Sequence, residues 1–163
     1  MPVVSGAEFL KAARKGGYAV GGYNTNNLEW TQAILEAAEA KKAPVLIQTS
    51  MGAAKYMGGY KVAKDMITNL VDSMNITVPV AIHLDHGDYE AALECIEVGY
   101  TSIMFDGSHL PFEENLKLAK DVVEKAHAKG ISVECEVGSI GGEEDGIIGT
   151  GELADIEECK QMV

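Results

Sequence analysis

Two hydrophobic periods take turns along this chain, and that alternation leaves few folds open to it. Short runs of β character are separated by longer stretches with apolar residues three and four apart. Residues 5–15 read as a short helix, with Ser5 as N-cap, Glu8 completing a capping box and Gly16-Gly17 stopping it. Extended runs follow at 18–24, 44–50, 78–85, 101–106 and 131–137. Helices at 27–42, 60–74, 89–98 and 111–129 lie between them, the last with Pro111 in its first turn and Gly130 after its end. A Gly-rich acidic loop comes next, and another helix starts at Asp155. No hairpin signal joins neighbouring runs. Each crossover therefore returns the chain to the same edge, and the strands run parallel. The expected fold is α/β, either an open doubly wound sheet or a (β/α) barrel.

Strand faces separate these two. In the third run Val80, Ile82 and Leu84 oppose Ala81, His83 and Asp85. In the fourth Ile103 and Phe105 oppose Ser102, Met104 and Asp106, and in the fifth Val133 and Cys135 oppose Ser132, Glu134 and Glu136. The second ends in Gln48 and Ser50 on one face, and the first ends in Asn24. All five runs deliver a polar group to one rim, as a TIM-type (β/α)8 barrel requires at its C-terminal face. An open sheet would gather its site at one switch point. A complete barrel takes eight strands and roughly 250 residues. Residues 1–163 are accordingly expected to be the N-terminal part of a single barrel domain, about its first five β/α units.

Charge narrows the partners. Thirteen Lys and Arg against 25 Asp and Glu give a net charge of −12. With no basic face, nucleic acid and anionic membrane surfaces are disfavoured. No apolar run approaches the roughly 20 residues of a membrane span, and no signal peptide is read. Cys95, Cys135 and Cys159 form no C-x-x-C pair, so reduced thiols in the cytoplasm are expected.

The strongest local signal is Ile82-His83-Leu84-Asp85-His86-Gly87 at a strand end. His83 reads as a hydrogen-bonded interior histidine. Asp85 points inward and His86 is expected just past the strand, a carboxylate beside an imidazole. That pair suits a metal site with a proton-transfer group next to it. One histidine cannot hold a catalytic zinc, which takes three protein ligands, and His109 and His127 do not converge on it by pattern. The remaining ligands are expected outside the chain. The second signal runs from Glu134 through Glu136 to the glycine-rich stretch with Glu143, Glu144 and Asp145. Interior-facing glutamates are costly unless paired with a cation or hydrogen-bonded. The loop reads either as a mobile lid carrying a general base or as a solvated acidic loop. It holds no G-x-G-x-x-G dinucleotide fingerprint.

Together these segments resemble the class II, metal-dependent fructose-1,6-bisphosphate aldolases. The resemblance rests on residues 21–24, 43–53, 83–87, 105–108 and 134–146, and is colinear from about Ser5 onward. It implies a zinc enzyme that cleaves fructose 1,6-bisphosphate to dihydroxyacetone phosphate and glyceraldehyde 3-phosphate, with a second metal ion as an option. By resemblance, His86 is the first zinc ligand. Asp106 and Glu136 are ligands of a second or alternative metal position, with Glu134 beside them. Asp85 moves the proton of the C4 hydroxyl, Asn24 and Ser50 contact substrate, and Glu144, or in its place Glu143, is the lid acid that moves the C1 proton. The family's other zinc histidines and its phosphate loops fall in a second half, so the chain alone is expected to be inactive. The full-length protein is expected to be a homo-oligomer, dimer or tetramer, acting on a small sugar bisphosphate. A lysine Schiff base would need a Lys at an inner strand position, and none is present; Lys55 and Lys61, for example, fall outside the strands. The related tagatose-bisphosphate aldolases share the motifs. Two other readings are a non-catalytic half-barrel that associates through its edge strands and a barrel metal hydrolase with Asp85 activating water.

Overall fold

Five parallel strands lie side by side in unbroken sequence order in the computed structural model, which describes residues 2–139, 141–144 and 147–163, with side chains described outside 143–150. They are β1 (Gly21–Asn24), β2 (Val45–Ser50), β3 (Val80–Gly87), β4 (Ser102–Phe105) and β5 (Ser132–Cys135). The order β1-β2-β3-β4-β5 never reverses, so the sheet has no switch point. It is the arrangement of the first five units of a (β/α)8 barrel. The helices α1 (Gly6–Gly16), α2 (Leu28–Lys41), α3 (Met51–Met57), α4 (Tyr60–Ser73), α5 (Tyr89–Val98), α6 (Phe112–Ala128) and α7 (Ile156–Met162) complete the main body.

The two faces of the sheet part as the alternation requires. Val80, Ile82, Leu84, Ile103 and Phe105 pack with Leu35, Ile67, Val71, Ile96 and Val122 from the covering helices. Leu46 and Ala81 point the other way and are covered by Phe9 of α1. The helix α1 lies close over that inner face. A Cβ on Gly6 would stand 3.0 Å from Ser132 Oγ and 3.2 Å from Ser102 Oγ, so the helix begins where only glycine fits without displacement.

Four expectations need correction. The capping box does not form: Ser5 makes no side-chain cap, and its carbonyl accepts the Glu8 N–H at 3.2 Å. Pairing of Pro2 and Val4 with Val80 fixes the entry to α1 instead. A short helix, α3, follows β2 directly, capped by Ser50 and ended by Gly58 in a left-handed conformation. Its seven residues are too few to show a helical period. The acidic loop contains an antiparallel hairpin, β6 (Gly141–Glu144) with β7 (Ile147–Thr150), whose glycines mask strand propensity. Finally, β3 runs through His86 to Gly87 rather than stopping at Asp85. Among the described residues no helix is long and apolar enough to cross a membrane.

Beneath the rim, Thr49 and Tyr100 share a buried hydroxyl hydrogen bond of 2.8 Å, and the Tyr100 ring stands edge-on to Tyr60. Tyr100→Phe keeps the packing but strands the Thr49 hydroxyl. The expected cost is about 1–2 kcal/mol, read as a lower urea midpoint with an unchanged m-value.

Candidate metal centre

The end of β3 builds the site. Its register on β4 shifts between Leu84 and Gly87, and His86 takes a positive φ of 47°. Non-glycine residues rarely adopt that conformation, though histidine does so more often than most. Such irregularities re-aim side chains at strand ends. Here successive residues serve opposite neighbours: Asp85 engages the β1–β2 side and His86 the β4–β5 side.

Asp85 is held by two carboxamides. Asn24 Nδ2 donates to its Oδ2 at 2.6 Å, and Gln48 Nε2 donates to its Oδ1 at 3.2 Å. Asn24 and Gln48 are register partners in the β1–β2 pair, as Ser50 and Asp85 are in the β2–β3 pair. Ser50 is thus at the rim, where its Oγ accepts the Ala53 N–H at 3.2 Å and starts α3. Gln48 appeared in the sequence only as a rim polar group. Its spacing two residues before Ser50 was the available signal that it faces Asp85.

His86 Nδ1 lies 2.9 Å from Asp106 Oδ2 and 3.6 Å from Glu136 Oε2. One donor atom from each of the three falls within 4.8 Å of the others, and all three residues are half-buried. Both acids follow directly on strands, Asp106 after β4 and Glu136 after β5. Asp106 is anchored twice: its N–H donates to the Gly87 carbonyl, and its Oδ1 accepts the Ser108 N–H, each at 2.9 Å. Burial by itself would raise its carboxyl, but hydrogen bonds from Ser108 and His86 outweigh it and hold Asp106 below the ordinary carboxylate range. Glu134 is exposed along the open sheet edge and does not join the group. The surrounding protein raises its carboxyl, and the charge of Asp85 adds to the effect.

His83 is buried, its Nδ1 2.8 Å from Ser102 Oγ. Burial holds its pKa down to about 4; Asp85 opposes this and His86 adds to it. It is an interior hydrogen-bonding residue, as its place in the motif suggested. Neither His109 nor His127 joins the His86 group. The backbone of Glu143 and Glu144 belongs to β6, but their side chains lie outside the described ones, as does Asp145 entirely.

The donor set fits a divalent cation. An imidazole with two carboxylates suits zinc and its first-row neighbours. The sequence pattern pairs His86 only with Asp85, and the resemblance gives the two acids to a second or alternative metal position. The fold brings all three together.

A family model, Fructose-bisphosphate aldolase class-II, matches residues 4–163. The chain is 83% identical over 163 residues to a fructose-bisphosphate aldolase of Streptococcus pneumoniae serotype 4, covering all of this chain and 56% of that protein. It is 54% identical over 165 residues to the fructose-bisphosphate aldolase of Geobacillus stearothermophilus, covering 58% of it. Among solved structures, a putative fructose-1,6-biphosphate aldolase from Coccidioides immitis matches with a TM-score of 0.86 at 32% identity, over 99% of this chain and 57% of the other. The YdjI aldolase from Escherichia coli K12 matches with a TM-score of 0.83 at 27% identity, over 98% and 57%. The chain thus spans a little over half the length of these relatives. With a family match that runs almost end to end and a sheet that carries the matching motifs to one rim, the chain belongs to the class II fructose-bisphosphate aldolase family.

Proposed function

We propose that residues 1–163 form the N-terminal part of one barrel domain in a zinc-dependent aldolase. The reaction is the reversible cleavage of fructose 1,6-bisphosphate to dihydroxyacetone phosphate and glyceraldehyde 3-phosphate. The observation that carries this reading is the His86, Asp106 and Glu136 group beside a carboxylate, Asp85, clamped by two carboxamides.

His86 would be the first ligand of the zinc, with its remaining protein ligands supplied by the rest of the barrel, and Asp106 and Glu136 would serve a second or alternative position of the ion, with Glu134 close by. A divalent cation there supplies Lewis-acid stabilisation of the negative charge that develops as the C3–C4 bond breaks. The protein's own part begins with Asp85. In cleavage its carboxylate takes the proton of the C4 hydroxyl. The C4–O bond becomes a carbonyl, the C3–C4 pair withdraws toward C2, and the aldehyde leaves. In condensation the same group returns the proton. Asn24 and Gln48 fix the direction of the Asp85 oxygens, and Asn24 and Ser50 stand at the rim for substrate hydroxyls. Glu144, or in its place Glu143, is assigned the C1 proton of dihydroxyacetone phosphate. The phosphate grips are expected in the remainder of the barrel, where backbone N–H groups suffice. That division is compatible with a net charge of −12 in this portion.

The test uses the full-length protein, expected to be a cytoplasmic homo-oligomer. Chelation should abolish dihydroxyacetone phosphate release and added zinc should restore it, while His86→Ala should lose the metal and stay inactive. Equal activity with and without chelator would overturn the reading. Parallel assays with tagatose 1,6-bisphosphate decide between the two ketose substrates. The isolated 163-residue chain should bind zinc weakly and turn over neither.

A further inference from the structure

Asn115 belongs to none of the groups above, yet it lies under both metal-facing acids. It sits in the first turn of α6 and is only 2% exposed. Its Nδ2 donates to the backbone carbonyl of Glu136 at 2.9 Å. Its Oδ1 is buried with no hydrogen-bond partner among the described residues. That oxygen faces Gly107, the residue after Asp106: a Cβ on Gly107 would come within 2.4 Å of it. One carboxamide therefore touches the segment behind Asp106 and the backbone of Glu136 itself. The orientation is fixed, because a flipped amide would set two carbonyl oxygens against each other.

A stranded buried acceptor is a liability for the fold, and a leucine of similar size would avoid it. Something must offset that liability, and the bond that accompanies it ends on a metal-facing residue. We propose that Asn115 is a positioning residue that fixes the separation of the Asp106 and Glu136 carboxylates and so sets the affinity of the His86 group for a divalent ion. This rests on the metal reading above. Removing partners that orient metal ligands typically weakens binding about 10–100-fold. The helix α6 is the rigid support: Asn115 in its first turn reaches both Gly107, after β4, and Glu136, after β5.

The experiment is a Co²⁺ titration of the metal-free full-length protein, followed by its visible ligand-field bands, beside thermal unfolding of the same samples without metal. Asn115→Leu should unfold at or near the parent temperature, bind Co²⁺ at least about 10-fold more weakly, and show shifted bands. Asn115→Ala should do the same from a less stable fold and serves if the leucine variant does not fold. A purely structural role for Asn115 would move the unfolding temperature and leave cobalt affinity and bands alone, and that result in either variant overturns the inference while the metal reading stands. Failure of the parent protein to bind Co²⁺ removes the metal reading itself and this inference with it.

Discussion

Asp85→Asn in the full-length protein should lower kcat by about 10²–10⁴-fold, the usual worth of a positioned proton-transfer group, while zinc content stays at the parent level. The asparagine keeps the shape of the aspartate but cannot accept the C4 hydroxyl proton. Asp85 lies outside the His86, Asp106 and Glu136 group, so its removal leaves the metal donors in place. One of the two flanking carboxamides, Asn24 or Gln48, must turn to accept from the new amide, a change confined to the rim. His86→Ala gives the opposite pattern, in which metal and activity disappear together. Turnover by coupled assay and zinc by elemental analysis on the same preparations read both quantities. Full activity in Asp85→Asn would remove Asp85 from the proton path.

The contrast between these two variants reflects how the site divides along β3. Asp85 and His86 are adjacent in sequence, yet the register shift turns them to different neighbours. Their identities and their place at a strand end were legible from the alternation of apolar and polar residues. The left-handed turn at His86 was not, because a one-residue irregularity leaves no periodic trace and even histidine takes a positive φ only uncommonly. The same limit explains the separation of His86 from Asp106 and Glu136 at the sequence level. The two acids follow His86 at separations of 20 and 50 positions, and only the sheet order makes β3, β4 and β5 consecutive. The faces of the strands were readable, since Val80, Ile82 and Leu84 must go to the helices once Ala81 and His83 go inside. Hydrogen-bond partners such as Gln48 and Asn115 were not, because a carboxamide on a strand or helix carries no periodic signal of what it will touch. The short helix α3 and the β6–β7 hairpin escaped for a related reason, each being too brief or too glycine-rich for propensity to register.

His83 should make the fold pH-sensitive well above the range where most carboxylates titrate. In the folded protein its imidazole resists protonation down to about pH 4, because burial disfavours the charged form, whereas an unfolded chain protonates it near 6.5. The folded pKa is depressed, so the unfolded state binds the extra proton between these values and stability falls as pH falls. The contribution is intact above about pH 6.5, declines through the window, and is exhausted near pH 4. At roughly 1.4 kcal/mol per pH unit, that span is worth about 3 kcal/mol, a large share of the 5–15 kcal/mol typical of a folded domain. His83→Asn isolates the effect, since asparagine keeps a polar group near Ser102 Oγ and does not titrate. Acids such as Asp106, held below its ordinary range, lose their own contribution at the acid end in both proteins and cancel in the comparison. Urea unfolding at pH 7 and pH 4 should therefore show the parent losing about 3 kcal/mol more than the variant between the two conditions. Equal losses would mean that His83 protonates in the folded state as readily as in the unfolded one, and that the inner face of the sheet around β3 and β4 is open to water in solution.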